Sequence, residues 1–235
     1  MLKDFAFALN GFLLGLGIWK DKMKTRFILV RHGQSLGNER KIILGHVDWD
    51  ITVIGRAQAQ CVARALENRK IDAVYSSDLI RAYNTVAPMA TSRGLNITAD
   101  EGLREINMGL WQGRTVADII EEYGEFFTVR WMRHFGSFCA PGGESTQDLA
   151  KRVRCSLLRI AEDNPERTVL IGTHAAAIRA FWALVTGVPV EKIDELLPFP
   201  DNASYSEIDC EDGAFYPISY SVSDYLTTIA TGLPF

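Results

Sequence analysis

The spacing of apolar positions changes character along the chain. Phe27 to Val30 is a short unbroken apolar run rich in β-formers, and Thr168 to Gly172 is another. Such short runs read as buried strands, and Ile71 to Tyr75 reads as a strand of the same kind. Between them the spacing turns helical. Ile54, Ala57, Cys61, Val62 and Ala65 recur at helical intervals, and Leu79 to about Ser92 forms a second helix that stops near Gly94. Leu149, Val153, Leu157 and Ile160 mark a longer helix with Ser145 or Thr146 as its cap, and Ala175 to about Thr186 marks a further one. Thr115 to Tyr123 and Phe126 to Phe135 read as two short helices, while Asn202 to Ile208 and Phe215 to Tyr220 read as late strands. Strands alternating with helices predict an α/β fold, a three-layer sandwich with a mainly parallel central sheet and helices on both faces. The regular pattern occupies residues 23–235 as a single domain, and residues 109–142 are expected to form a small cap over the site.

The first residues break the pattern. Phe5 to Trp19 is almost wholly apolar and is followed by Lys20, Lys22 and Lys24. The run is shorter than the roughly 20 residues of a spanning helix, so no integral membrane span is expected. It lacks the basic leader and small-residue cleavage site of a signal peptide. Residues 1–22 are therefore expected to be an apolar, helical extension packed on the domain or on a neighbouring subunit, as in a homodimer. A peripheral membrane contact and a natural start at Met23 are the alternatives.

Composition narrows the classes further. With 235 residues and 47% hydrophobic side chains the chain can bury one sizeable core. A formal net charge of −4 offers no general attraction for nucleic acid or an anionic membrane. An anionic substrate must then be held by a few local arginines. The four cysteines, Cys61, Cys139, Cys155 and Cys210, are scattered without metal-ligand spacing, and the four histidines include no pair at helical ligand spacing. Neither a disulfide framework nor a metal site is expected, and a cytoplasmic setting fits best.

The candidate chemistry follows the predicted strands. Arg31-His32-Gly33-Gln34-Ser35-Leu36-Gly37-Asn38 directly succeeds the first, and ligands of open α/β sheets bind at strand carboxyl ends. Imidazole is a competent nucleophile toward phosphorus, guanidinium matches phosphate oxygens, and Gly33 would let the backbone approach a ligand closely. Taken alone, the tripeptide reads equally as a loop histidine beside an unrelated arginine. Thr173-His174 puts a second histidine at a strand end, with a helix N-terminus beside it that attracts phosphate. Ser77-Asp78-Leu79-Ile80-Arg81-Ala82 again follows a strand, and Arg104-Glu105 offers a carboxyl group. Glu105 could otherwise be a plain surface carboxylate.

Together these segments resemble the histidine phosphatase superfamily, also called phosphoglycerate mutase-like. The resemblance runs from Met23 to Tyr225 and adds Gly45-His46-Val47-Asp48, Gly55 to Ala59, Gly142 to Ser145 and Asn202-Ala203-Ser204. Ala175 stands where glycine is common. The resemblance implies a phosphohistidine on His32, with Glu105 as general acid and base. Arg31, Arg81 and His174 would neutralise the phosphoryl oxygens, and Asn38, Gly45 and Ala175 would add substrate contacts. It implies a small phosphorylated metabolite as partner and no cofactor. Arg133 and His134, in the expected cap, are candidates for setting selectivity. Hydrolysis is favoured over phosphoglycerate mutase activity because Ile106, Leu44 and Ala176 are apolar where the mutases carry arginine, threonine and asparagine. Met132-Arg133 would be a remnant of a mutase arginine pair. A catalytically silent scaffold on the same fold is the third reading, disfavoured because all five catalytic candidates are present.

Overall fold

The computed structural model describes residues 24–226, apart from 125–130 and 132–133. The extension over residues 1–22 and most of the helix expected over 126–135 lie outside the described residues.

Six strands form the main sheet: β1 (Lys24–Arg31), β3 (Ala73–Ser76), β4 (Ile97–Ala99), β6 (Thr168–Thr173), β7 (Tyr205–Glu211) and β8 (Ala214–Val222). Their order is β4-β3-β6-β1-β7-β8. The first four of that order are parallel, while β7 runs antiparallel to both β1 and β8. Two-residue segments β2 (Ile42–Ile43) and β5 (Arg114–Thr115) pair separately.

Alternation along β1 builds the three layers. Phe27 and Leu29 join Val169 and Ile171 in one core cluster, with Leu149, Val153, Leu157 and Ile160 of α5 (Thr146–Asp163) and Phe181 of α6 (Ala175–Thr186). Ile28 and Val30 join Val74 and Leu170 on the opposite face, with Val62 of α2 (Val53–Ala65) and Val86 and Met89 of α3 (Ile80–Ser92). Side chains of successive strand residues point to opposite faces, so a strand covered by helices on both sides must be apolar without a break. Truncating one of these fully buried side chains to alanine costs about 2–5 kcal/mol.

Ser145 is the cap of α5, accepting from the Asp148 amide, whereas Thr146 is buried and donates its hydroxyl to the Phe135 carbonyl at 2.5 Å. The late strand begins at Tyr205 rather than Asn202. Ala203 has a φ of 57°. The Ala203 amide and the Asn202 side-chain amide both donate to the carbonyl of His32, at 3.2 and 3.0 Å, instead of joining the ladder. Two short elements escape the apolar pattern: β4, which is mostly exposed, and α1 (Leu36–Arg40), a single capped turn. Within 109–142, α4 (Val116–Tyr123) and the turns around it send Trp111, Ile119 and Phe138 into the core cluster of α5 and α6.

Candidate active site

Register brings the two histidines together. Arg31 of β1 pairs with Thr173 of β6, so the next residues, His32 and His174, leave adjacent parallel strands side by side. Such strands lie about 4.8 Å apart. The rings meet edge to face with centroids 5.3 Å apart, and the His32 amide donates to the Thr173 carbonyl at 3.0 Å. On the other side of β6, Ser76 pairs with Gly172, which brings Ser77 level with Thr173 and within reach of His174; its Oγ lies 2.9 Å from Nε2 of that ring. The chain then turns into α3, whose second residue is Arg81.

These residues border a cleft of about 620 Å³, counted out to open solvent. Arg31, His32, Asn38, Gly45, Arg81, Glu105 and Ala175 all line it, and His174 lies against it through His32. Six of the eight expected site residues are buried, and Asn38 and Glu105 are half-buried.

Each polar side chain is held at one end. His32 Nδ1 lies 2.7 Å from the Gly33 carbonyl, which can only accept, so Nδ1 carries the proton and Nε2 keeps its lone pair. Arg81 donates to the carbonyls of Gly45 and Val47, at 2.7 and 2.9 Å. Arg31 donates from Nη1 to the Pro200 carbonyl, and its Nε is buried without a hydrogen-bond partner among the described residues. The Glu105 carboxylate accepts from the amides of Ile106 and Ala176, at 2.9 and 3.4 Å. Asn38 spends its carbonyl oxygen on Ser35 and Asn202, so its amide hydrogens are what it can offer a ligand. The Ala175 amide, in the first turn of α6, has no intrahelical acceptor.

The charge balance favours an anion. Burial lowers Arg31 and Arg81 from 12.5 to about 10, and the Glu105 carboxylate works against that drop in both. Both stay cationic at neutral pH. Burial, then the charge of Arg81, holds His32 and His174 well below their ordinary value of 6.5, so both rings are neutral there.

That depression has a stability consequence. Above about pH 6.5 neither folded nor unfolded chain protonates these rings. Below it the unfolded chain takes up protons that the folded chain refuses, and unfolding becomes easier by up to about 1.4 kcal/mol per pH unit for each ring. Urea midpoints measured from pH 7.5 down to 5 should therefore fall. A flat profile would mean that the rings are not buried in neutral form.

The structure gives several of the neighbouring residues other tasks or places. Gly33 is required by packing rather than by a ligand: a Cβ there would sit 2.6 Å from the Gly55 carbonyl oxygen. Gly45 combines a φ of +51° with a carbonyl that anchors Arg81. His134 is exposed and outside the cleft lining, and Arg133 lies outside the described residues. Arg104 is tied to Asp78, and Arg179 to Asp194 and the Leu197 carbonyl, so neither faces the cleft.

Three supporting residues had no assigned role in the sequence reading. Ser77 holds His174. Arg152 binds the Glu144 carboxylate and the carbonyls of Gly102, Arg104 and Glu105. His46 Nε2 lies 2.8 Å from the Glu105 carbonyl. Ser77 and His46 sit inside motifs already singled out, but no spacing signal marks Arg152.

The three-layer α/β sandwich with its mixed, mostly parallel sheet is the architecture of the histidine phosphatase fold, which is phosphoglycerate mutase-like. The model of the histidine phosphatase superfamily, branch 1, matches residues 27–222, and the chain belongs to that family. It is 33% identical over 186 residues to the putative phosphoserine phosphatase 2 of Hydrogenobacter thermophilus, covering 79% of this chain and 90% of the relative. It is 32% identical over 173 residues to the glucosyl-3-phosphoglycerate phosphatase of Mycobacterium tuberculosis, covering 70% of this chain and 77% of that one. The structure of the mycobacterial glucosyl-3-phosphoglycerate phosphatase complexed with VO3 superposes with a TM-score of 0.76 at 29% identity, over 84% of this chain and 99% of the other. No helix among the described residues is long and apolar enough to cross a membrane.

Proposed function

We propose that this chain is a metal-independent phosphomonoesterase that hydrolyses a small phosphate monoester through a phosphohistidine on His32. The observation that carries the reading is the neutral imidazole of His32, its Nδ1 proton engaged by Gly33 and its Nε2 lone pair free, beside two buried guanidiniums. In the first step Nε2 attacks phosphorus in line, the P–O ester bond breaks, and Glu105 gives its proton to the departing alkoxide. In the second, Glu105 takes a proton from water as the water oxygen attacks phosphorus; the P–N bond breaks and inorganic phosphate leaves. Arg31 and Arg81 neutralise charge on the non-bridging oxygens, a task metal ions perform in other phosphoryl-transfer sites. Asn38 and the Ala175 amide add donors, and neutral His174 packs edge to face against His32. The phosphatase names of the relatives, and the VO3 bound to one of them, support an oxyanion site.

The test is turnover of p-nitrophenyl phosphate in EDTA, followed by trapping of an acid-labile phosphoamide on residue 32. No turnover in a folded sample would sink the hydrolase and revive the scaffold. Formation of 2-phosphoglycerate from 3-phosphoglycerate and catalytic bisphosphoglycerate would instead reveal a mutase, against which Leu44, Ile106 and Ala176 argue.

Glu105→Gln gives a second measurement. It should lower kcat by about 10²–10⁴ on alkyl phosphates, whose leaving groups need a proton. The loss should be far smaller on p-nitrophenyl phosphate, because nitrophenolate departs unprotonated. Equal losses on both would remove Glu105 from the acid role.

A further inference from the structure

The cleft that holds the phosphate cluster is completed by a wall of different character. Ile42, Leu44, Ile106, Met108, Trp131 and Phe199 all line it. Leu44, Ile106 and Met108 are buried, and Ile42, Trp131 and Phe199 remain partly exposed. Trp131 packs its ring against Phe138 at 4.7 Å between centroids and near Phe199 at 5.9 Å, so the aromatic part of the wall is braced from behind.

The ionisable side chains among the described lining residues are Arg31, His32, Arg81 and Glu105. Each already has a task in the proposed chemistry, with Arg31 and Arg81 engaged by the transferring phosphoryl group. Among the described residues, a second charged group on the substrate would meet apolar side chains, where it loses hydration and gains no partner. An apolar alcohol would displace water from the same surface and gain by it.

We propose that the alcohol portion of the natural substrate is uncharged and largely apolar or aromatic, seated on the wall formed by Ile42, Leu44, Ile106, Met108, Trp131 and Phe199. This rests on the hydrolase reading and narrows it. It sets the chain apart from relatives whose names specify phosphoserine or glucosyl-3-phosphoglycerate, both of which carry a carboxylate in the leaving group. Identities of 33% and 32% leave room for the wall to differ from theirs.

The experiment compares kcat/KM for benzyl, n-hexyl and ethyl phosphate, O-phosphoserine and 3-phosphoglycerate. All five release aliphatic alcohols, so differences among them report the wall rather than leaving-group acidity. Benzyl and n-hexyl phosphate should exceed ethyl phosphate and phosphoserine by about ten- to hundredfold, the scale on which an apolar pocket discriminates. Trp131→Ala should bring the benzyl-to-ethyl ratio toward one. Ile42→Lys, at a partly exposed position of the wall, should raise phosphoserine relative to benzyl phosphate, and it keeps the idea testable if the tryptophan variant misfolds. Phosphoserine or 3-phosphoglycerate turned over as well as benzyl phosphate by the wild-type chain would overturn this inference and leave the hydrolase reading standing. No turnover of any of the five would overturn the hydrolase reading, and this inference with it.

Discussion

Replacing His32 by alanine should remove turnover of every phosphate monoester, with kcat falling by on the order of 10⁵–10⁶, the scale seen when a covalent nucleophile is deleted. No other described group stands ready to replace it. His174, the nearest imidazole, has its Nε2 turned to Ser77 at 2.9 Å. The fold should survive. The ring is neutral and donates from Nδ1 to the Gly33 carbonyl, so the variant leaves that carbonyl unpaired at a cost of about 1–3 kcal/mol. The informative measurement pairs steady-state kinetics with alkaline-quench labelling, since the P–N bond survives base but not acid, and circular dichroism checks the fold. Normal turnover, or an undiminished phosphoamide label, would place the nucleophile elsewhere.

Arg81→Ala is the second large effect expected. An arginine aimed at a transferring phosphoryl group is worth about 10³–10⁵ in rate, and Arg81 is positioned for that by the carbonyls of Gly45 and Val47. Arg81→Lys should recover only part of the loss, because an ammonium supplies charge without the planar fork. Stability should suffer less than the loss of two hydrogen bonds suggests. Burial disfavours the charge, as the lowering to about 10 records, and its removal relieves that penalty. Inhibition by inorganic phosphate should weaken in parallel with kcat/KM. If kcat/KM fell less than tenfold while phosphate still bound normally, Arg81 would be a brace for the Gly45–Val47 loop and no part of the clamp.

Much of the site was visible before any coordinates because its residues sit in short segments with strong local causes. His32, Arg81 and His174 each follow an apolar run, and a short buried strand ends at a predictable place. The apolar character of Leu44 and Ile106 was also plain, and both prove to line the cleft. What escaped were contacts made across the chain. Ser77 reaches His174 over 97 residues, and Arg152 reaches the Glu105 carbonyl over 47. No local pattern records which helix face will meet which loop. Ile97–Ala99 escaped for another reason: an exposed edge strand buries too little to need apolar residues.

The sequence by itself determined the layered α/β class, the two-sided burial of β1 and β6, and the set of side chains able to handle a phosphoryl group. These follow from periodicity and residue chemistry, which act over a few neighbours. Tertiary structure alone decided that β6 lies next to β1 in a register pairing Arg31 with Thr173. From that register come the 5.3 Å separation of the two imidazoles and the burial that keeps them neutral. Strand order and register depend on how all the helices share the two faces of one sheet, a balance of many weak contacts that no single segment encodes.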